Sequence, residues 1–461
     1  MQFSKRMDRF GDEIFGALNE KKLELEAEGR TLYNMSVGTP DFETPLHIRE
    51  ALAEAAMDPE NWKYALRDLP ELLDADCAYY ERRFGVTITP DMVCSCYGTQ
   101  EGMGHVGMAL VNEGDTVLLP TPCYPVFIAG AKMAGAEPWY YPMTAETNFL
   151  PDVSTIPEDV ARRAKFMVVS LPANPMGSVG NDDVYKELIA YAKQYDILLL
   201  HDNAYSDIIF DGVRGGSFLQ YDGAVDIGAE FFSLSKSFDV TGARMSFLIG
   251  RPDVVAAFPK LRSQIDFGTF LPIQYAAIAA LNGPTDMVEQ QCRDYQARRD
   301  ALCGGLRSIG WDVPDSKGSM FVWAPVPPAY REKYLAKKAA QAAASVPAGP
   351  APADSAPAGS APASPDSARP APADSVPASL DSACSASAGS TPSGSPAPEA
   401  PLDSGLSMAF CLDLIERAGV ITTPGGSFGP LGEGYTRFAL VLPPEKIREA
   451  IAAIAASGLL D

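Results

Sequence analysis

The sequence has little of what builds a metal site or a disulfide framework. It contains only three histidines, and its eight cysteines form no Cys-x-x-Cys pair. Structural zinc sites need clusters of such ligands, so we expect no metal site. Because disulfides are rare in long cytosolic chains, the cysteines are expected to be free thiols.

Long apolar runs and an excess of positive charge are also lacking. No stretch approaches the roughly 20 apolar residues that cross a bilayer, and the charged opening MQFSKRMDRFGDEIFG is unlike a secretory signal. The formal net charge is −22, which repels the phosphates of nucleic acids. We therefore expect a cytoplasmic protein with neither a membrane nor a nucleic acid as its partner.

One segment of the chain differs in composition from the rest. From about residue 339 to residue 406 it consists mainly of Ala, Pro, Ser, Gly and Asp, without an aromatic residue, and APADS occurs twice. Such a segment cannot bury enough apolar surface to offset the entropy lost on ordering. It is predicted to be a disordered insertion within one domain.

Outside this segment, short apolar runs alternate with helical patterns. Asn181 is a suitable N-cap for a helix that has Tyr185, Leu188, Ile189 and Ala192 on one face. This alternation predicts an α/β fold, with a mainly parallel sheet between two layers of helices and a smaller α+β domain towards the C-terminus. Strands are predicted at 92–97, 116–119, 166–171, 197–200, 231–234, 318–324 and 435–442, and helices at 101–111, 124–133 and near 447–454.

A lysine with unusual surroundings follows the strand at 231–234. Lys236 lies in FFSLSKSFDVTGARMSFLIG, among serines and eight residues before Arg244. A lysine that forms a Schiff base needs a partly desolvated site, where its amine is neutral and nucleophilic. Hydroxyl groups and a guanidinium nearby suit a phosphate dianion.

Two further polar groups follow strands at the edge where open α/β sheets bind ligands. Asp202, with Tyr205 three residues later, lies in LLLHDNAYSDIIF, and Asn174 lies in LPANPMGSVG. A buried carboxylate there needs a partner, such as a protonated ring nitrogen. The alternatives are a helix N-cap for the aspartate, a packed tyrosine and a simple turn at the asparagine.

Three weaker features complete the set of candidates. Gly98-Thr99-Gln100 opens a helix directly after a strand, where exposed N–H groups favour an anion, and Tyr124 is an aromatic residue beyond the next strand. Arg437 lies in the apolar strand GEGYTRFAL. Since buried arginines are rarely unpaired, its partner is either a substrate carboxylate or a structural Asp or Glu.

The order and spacing of these motifs resemble those of the fold-type I pyridoxal-phosphate (PLP) enzymes, the aspartate-aminotransferase superfamily. The closest resemblance is to the class I/II branch, which includes bacterial LL-diaminopimelate and alanine aminotransferases. It rests on SLSKSFxxxGAR, NPxG, DNAYSD and GEGYxRFAL, and it covers the chain from about Asp8 to Leu460 except the insertion. It implies a PLP-dependent transaminase that moves an amino group from an L-amino acid to a 2-oxo acid by a ping-pong mechanism.

The resemblance also implies a role for each candidate residue. Lys236 would bind PLP as a Schiff base and shuttle the substrate proton, Asp202 would pair with the ring nitrogen, and Arg437 would bind the substrate carboxylate. Gly38, from NMSVGTPDF, would assist Arg437, and Tyr64 would reach the phosphate of the other subunit in a homodimer with composite sites. The other implied contacts are Tyr205 and Asn174 to the 3′ oxygen, Tyr124 on the ring, and Gly98, Thr99, Gln100, Ser233, Ser235 and Arg244 to the phosphate.

By the same resemblance, residues 1–45 join the small domain, 46–305 form the PLP-binding large domain and 306–461 form the interrupted small domain. The sequence departs from the family at several positions: Thr99-Gln100 replaces the frequent Ser-Lys, Asp68 replaces a usual Gly, and Met176 replaces a common Thr. These changes leave the substrate open. A PLP-dependent cysteine–sulfur β-lyase, which shares the cofactor residues, is the alternative function.

Overall fold

The computed structural model describes residues 3–4, 7–10, 16–345 and 404–461, with the backbone alone at 342–345. Most of the predicted insertion at about 339–406 therefore lies outside the described residues. Its first limit was placed too early, because residues 339–345 continue a helix, whereas a helix begins at Leu406, where the insertion was expected to end. The first difference follows from the run AKKAAQAAAS, since alanine is the strongest helix former.

The described residues form twelve strands and fifteen α-helices. The strands are β1 Tyr33–Asn34, β2 Val93–Cys96, β3 Thr116–Thr121, β4 Glu137–Pro142, β5 Ala164–Ser170, β6 Leu198–Asp202, β7 Gly228–Ser233, β8 Ser246–Gly250, β9 Phe321–Pro325, β10 Val420–Ile421, β11 Thr423–Pro424 and β12 Tyr435–Ala439. The helices are α1 Gly16–Ala27, α2 Leu46–Met57, α3 Pro70–Phe84, α4 Gly98–Leu110, α5 Pro125–Ala134, α6 Glu158–Ala161, α7 Asp182–Tyr195, α8 Ala224–Ile227, α9 Leu234–Ser237, α10 Pro252–Arg262, α11 Leu271–Asn282, α12 Asp286–Ser308, α13 Pro328–Ser345, α14 Leu406–Ala418 and α15 Pro444–Ala456.

Seven strands form the large sheet, in the order β2-β8-β7-β6-β5-β3-β4. Only β8 runs antiparallel to its neighbours, and every other pair is parallel. The strands β3 and β7 are buried at every residue, as expected for a sheet covered on both faces. This architecture confirms the predicted α/β fold with a mainly parallel sheet.

A second, smaller apolar core surrounds an antiparallel sheet in the order β11-β12-β9. Its packing residues include Val322 on β9, Phe410 on α14, Phe438 on β12 and Ile447 on α15. The pair β1 and β10 adds a short parallel ladder. The helix α12 runs without a break through the predicted domain limit at 305/306, so the residue limits of the domains remain a prediction.

The strand directions bring five separate turns to one edge of the large sheet. Because β8 is antiparallel to both β2 and β7, the strand β2 runs in the same direction as the parallel group. The carboxyl ends of β2, β3, β5, β6 and β7 therefore meet at one edge. The segments that carry Gly98, Tyr124, Asn174, Asp202 and Lys236 leave the sheet there.

The predicted cap of α7 is present. The side chain of Asn181 accepts a hydrogen bond from the backbone N–H of Val184 at 3.0 Å. The apolar face of the helix, with Leu188, Ile189 and Ala192, is buried. The local sequence pattern therefore fixes both the start of this helix and the side that faces the sheet.

Candidate active site

A cavity of about 570 Å³ opens at the carboxyl edge of the large sheet. It is lined by residues from all five turns, from the N-terminal segment and from β9 and β12. Twelve of the fourteen residues predicted from the sequence line it. These are Gly38, Thr99, Gln100, Tyr124, Asn174, Asp202, Tyr205, Ser233, Ser235, Lys236, Arg244 and Arg437.

Lys236 projects into this cavity from the short helix α9, which follows β7 directly. Ser233 caps the helix by accepting a hydrogen bond from the backbone N–H of Ser235 at 3.1 Å. The Lys236 amine donates a hydrogen bond to the carbonyl of Gly38 at 2.5 Å. Burial, together with the positive charges of Arg437 and Arg244, lowers the pKa of the amine to about 8. At pH 7, one unit below this value, roughly a tenth of the amine is therefore neutral and nucleophilic, far more than for an exposed lysine.

Asp202 ends β6 and is buried at the base of the cavity. Its carboxyl group accepts hydrogen bonds from the Ser170 hydroxyl and from the backbone N–H of Ala204, both at 3.3 Å. Burial raises the pKa of this carboxyl to about 6, because the contacts around it compensate only part of the lost hydration. A cationic ligand group placed next to it would stabilise the charged form.

Arg437 on β12 is buried, and its partners among the described residues are all neutral. It donates to the Oδ1 of Asn174 at 2.9 Å, to the carbonyl of Ser36 at 2.8 Å and to the hydroxyl of Thr423 at 3.2 Å. Its Nε is buried and has no hydrogen-bond partner in the described part of the chain. Burial lowers the pKa of the guanidinium to about 10. The alternative of a structural acid as its partner was wrong for the described residues, and a ligand carboxylate would supply the missing charge.

The start of α4 and the turn before β8 form a small polar pocket in the same cavity. Gly98 has a φ of 78°, and a Cβ at this position would clash with the guanidinium of Arg244. The hydroxyl of Thr99 is buried without a partner among the described residues. Arg244 itself is anchored by a hydrogen bond from Nη1 to the carbonyl of Thr241 at 2.8 Å. Together these groups offer donors and a positive charge to an anion.

Tyr124 and Tyr205, the two aromatic residues of the cavity that were predicted from the sequence, have different neighbours. The hydroxyl of Tyr124 donates to the Oε1 of Gln100 at 2.6 Å. Tyr205 is buried, and its ring packs edge-on against Phe321 with the centroids 5.7 Å apart. Since Gln100 engages Tyr124, at least part of its role is to orient that ring.

The sequence matches known proteins along nearly its whole length. Residues 30–354 match the family model described as aminotransferase class I and II. The chain is 35% identical to an LL-diaminopimelate aminotransferase of Dehalococcoides mccartyi, covering 99% of this chain and 98% of that protein. It is 34% identical to an LL-diaminopimelate aminotransferase of Moorella thermoacetica, covering 98% and 97%. Among solved structures, BacF from Bacillus subtilis is similar, with a TM-score of 0.78, 29% identity and coverage of 99% and 98%.

The chain belongs to the class I and II aminotransferase family. The predicted transaminase function and the predicted family are thereby confirmed. The relatives quoted above are named as aminotransferases or by a protein name alone, and none of those names supports the β-lyase alternative. The family and the fold also imply PLP as the cofactor.

Two predicted residues of this aminotransferase do not line the cavity. Gly98 lies behind it, against Arg244. Tyr64 is 81% exposed, and its ring packs beside Phe267 with the centroids 5.5 Å apart. Its predicted role concerns a second subunit, so the single chain leaves that role as a prediction.

Several residues of the cavity were not predicted from the sequence. Ser36 and Phe321 contact Arg437 through its Nη2 and its planar face, with 4.1 Å between Cζ and the centroid of the Phe321 ring. Thr241 and Gly242 also line the cavity, and their place in SLSKSFDVTGAR is a signal that points to them. Phe321 carries no comparable signal, because an aromatic residue in a strand usually packs in the core.

Proposed function

We propose that this aminotransferase binds PLP through Lys236 and transfers an amino group from an L-amino acid to a 2-oxo acid. One observation carries the proposal. The amine of Lys236, the carboxyl of Asp202 and the guanidinium of Arg437 line one cavity, and the described residues around each group do not fully compensate its burial. A cofactor and an amino acid together supply the missing charges.

The residues present fit PLP. Among the described residues, Thr99 offers an unpaired hydroxyl and Arg244 a cation to a phosphate, and the missing side chain of Gly98 leaves room for the Arg244 guanidinium. Asp202, which lines the same cavity, offers a buried acid to a ring nitrogen. Bound there, PLP would supply an electron sink that stabilises negative charge on the substrate Cα.

The chain itself supplies binding and proton transfer. Arg437 would hold the substrate carboxylate, and Lys236 would take up and deliver the proton that leaves Cα. The lowered pKa of the lysine amine, about 8, suits this role because a general base works best when its pKa lies near the ambient pH. Positioned acid–base groups of this kind contribute about 10²–10⁴-fold to rates.

The remaining contacts follow the same scheme. Tyr205 and Asn174 would donate to the 3′ oxygen of the ring, and Tyr124 would stack on it. Ser233 and Ser235, with the turn that contains Gln100, would complete the phosphate pocket. The support is that these side chains and this turn line the same cavity.

We further propose a cytoplasmic homodimer with composite sites. Three large apolar residues around Tyr64 are exposed, namely Trp62 at 67%, Leu66 at 73% and Phe267 at 53%. An exposed apolar cluster of this kind is typical of a protein–protein contact. The cytoplasm is supported by the described cysteines, all of which are free thiols.

A half-reaction screen tests the function. The PLP-loaded protein is mixed with one amino acid at a time without an acceptor, and absorbance and mass spectrometry follow the cofactor and the product acid. LL-diaminopimelate is tested first, because the two quoted relatives carry its name. Conversion of the cofactor to its aminated form together with release of a 2-oxo acid is expected. Steady release of pyruvate and ammonia from a cysteine conjugate, with the cofactor unchanged, would establish the β-lyase instead.

The role of Lys236 has its own prediction. Lys236→Ala should lose the covalently bound cofactor absorbance and nearly all turnover, because no amine remains at this position. Lys260→Ala, at an exposed lysine of α10, is the matched control and should keep both. Retention of both by Lys236→Ala would disprove the assignment.

A further inference from the structure

A second buried carboxyl lies three residues beyond Lys236 and is not used by the proposed mechanism. Asp239 is 7% exposed and has a φ of 57°, in the left-handed region that Asp and Asn tolerate best. Gln291 on α12 donates from its Nε2 both to the Oδ1 of Asp239 at 2.8 Å and to the carbonyl of Lys236 at 3.1 Å. One amide group therefore links the carboxyl to the backbone of the lysine.

The other side of Asp239 is incompletely satisfied. Its Oδ2 is buried and lacks a hydrogen-bond partner among the described residues. Its carbonyl accepts a hydrogen bond from the hydroxyl of Thr44 at 2.6 Å, which ties the N-terminal segment to the same turn. A buried carboxylate with a free oxygen is costly, so its retention calls for a function.

The charges that face Asp239 come from three elements. Lys236 on α9 favours its ionised form, whereas Asp41 in the N-terminal segment opposes it. The carboxylate of Asp41 accepts a hydrogen bond from Arg298 on α12 at 2.6 Å. Tyr295, also on α12, interacts electrostatically with the carboxyl of Asp239. Burial raises the pKa of Asp239 to about 7, and the hydrogen bond from Gln291 offsets only part of the effect of burial.

Asp239 also acts on the lysine in return. Its carboxylate favours the protonated amine of Lys236, against the opposing effect of Arg437 and Arg244. Asp202 is the only carboxyl among the described residues that line the cavity, and the proposed function assigns it to the cofactor ring. Asp239 is thus the acid that Gln291 ties to the backbone of Lys236 and that opposes part of the effect of the two arginines on the amine.

We propose that Asp239, held by Gln291, is a positioning residue for Lys236 that sets the charge state of the lysine amine. The inference rests on the proposed role of Lys236 as the cofactor lysine. The negative charge of Asp239 stabilises the protonated amine of Lys236 near neutral pH. The two hydrogen bonds of Gln291 hold the Asp239 carboxylate at a fixed position relative to the backbone of Lys236. The turn that they form runs on to Arg244, so both ends of the cofactor pocket depend on it.

The test titrates Lys236 in the cofactor-free protein. An amine-acylating reagent is applied over a series of pH values, and peptide mass spectrometry measures the modification rate at position 236. Asp239→Asn keeps the left-handed backbone and the acceptor for Gln291 but removes the charge. In Asp239→Asn, the pH at which the modification rate of Lys236 reaches half its maximum should fall by about half a unit or more. A nearby opposite charge shifts a pKa by about 1–3 units when it is fully effective.

Two further variants separate the charge from general damage. Gln291→Met removes the donor that keeps Asp239 ionised, so it should lower the midpoint in the same direction. In the Asp239→Asn background it should add no further shift, because the two residues act through one interaction. Asp196→Asn makes the same substitution at an exposed aspartate with a φ of 56°, and it should shift nothing.

The outcomes are distinct. An unchanged midpoint in Asp239→Asn, or an equal shift in Asp196→Asn, would overturn the inference. If Asp239→Asn does not fold, the pH midpoint of Lys236 modification is measured in Gln291→Met alone. An unchanged midpoint in that variant overturns the inference. Failure of the wild-type protein to bind PLP would instead disprove the proposed function, since the lysine titration needs no cofactor.

Discussion

Arg437 is a buried guanidinium whose described partners are oxygen atoms of Asn174, Ser36 and Thr423, and it carries the one charge of this group. Rings lie on its planar faces, with Cζ 4.1 Å from the centroid of Phe321 and 4.7 Å from that of Phe428. A flat, delocalised cation fits this slot, whereas an ammonium group would leave several acceptors unmatched. Under the proposed function, this slot would receive the planar carboxylate of the substrate.

Arg437→Lys should weaken substrate binding while leaving the cofactor in place. Loss of the two-pronged contact costs about 2 kcal/mol, or roughly 30-fold in the apparent KM for the amino acid. Saturation of the half-reaction rate gives this value, and the cofactor absorbance should stay unchanged. Arg448→Lys, at an exposed arginine of α15, is the control. An unchanged KM in Arg437→Lys would contradict the proposed carboxylate site.

Buried acids should make the cofactor-free protein less stable as the pH rises. Burial raises the pKa of Asp202 to about 6 and of Asp239 to about 7, and raises the pKa of Asp76 well above its usual value. Unfolded aspartates titrate near 3.9, roughly, so between about pH 4 and pH 7 the folded state binds more protons than the unfolded state. The free energy of unfolding therefore falls as the pH rises through this window.

Asp76 offers the sharpest test of this effect, because neither of its buried oxygens has a hydrogen-bond partner among the described residues. Asp76→Asn is neutral at every pH, so its Tm relative to the wild type should increase from pH 4 to pH 8. Thermal melts across this range measure the difference. Asp222→Asn, at an exposed aspartate, should give a flat difference. A flat difference for Asp76→Asn as well would show that the carboxyl is not the cause.

At the scale of single elements, α7 is the helix whose start depends most clearly on one side chain. Asn181→Ala removes the acceptor for the N–H of Val184 and should lower the free energy of unfolding by about 1 kcal/mol. Asn181→Ser keeps an acceptor and should retain most of the stability. Chemical denaturation of the three proteins measures the effect, and equal stability of the Ala and Ser variants would disprove a capping role.

The elements that the sequence predicted best are those with a strong periodic or apolar pattern. The strands β5, β6 and β7 and the helix α7 are of this kind. The edge strand β4 was not predicted, because Pro138 and Pro142 within EPWYYP argue against a strand in the middle of a sheet. The two-residue strands β1, β10 and β11 are too short to carry a pattern, and long-range pairing alone defines them.

The site was predictable where a motif follows a strand, since the carboxyl edge of a parallel sheet gathers such residues. Lys236, Asp202 and Asn174 were found in this way. Phe321, Ser36 and Gln291 were not, because each reaches the site from a distant segment whose local sequence has an ordinary structural explanation. Only the three-dimensional arrangement brings these residues to the lysine and the arginine.

At the scale of the whole molecule, the composite homodimer predicts complementation between two inactive variants. Tyr64→Ala damages the contact to the neighbouring site, and Lys236→Ala removes the lysine. A mixed dimer of the two would hold one site with both wild-type residues. Random reassociation should then restore about a quarter of the wild-type activity, because half of the dimers are mixed and each has one intact site of two.

Each variant alone is the control and should stay nearly inactive under the same unfolding and refolding treatment. Sedimentation should verify that both variants form dimers before mixing. If mixing restores nothing, Tyr64 acts within its own subunit or not at all. That result would contradict the composite site while leaving the roles of Lys236 and Arg437 untouched.

The hydrogen bonds of Arg437 span 263 residues to Asn174 and 401 residues to Ser36, and this has a consequence for synthesis on the ribosome. About 200 residues separate Lys236 from the arginine, which takes ~10–40 s at typical rates of translation. During that interval the nascent chain carries Lys236 but not the guanidinium that, under the proposed function, would receive a substrate carboxylate. If both residues act as proposed, amino-group transfer is restricted to chains whose synthesis has passed β12, however early Lys236 emerges.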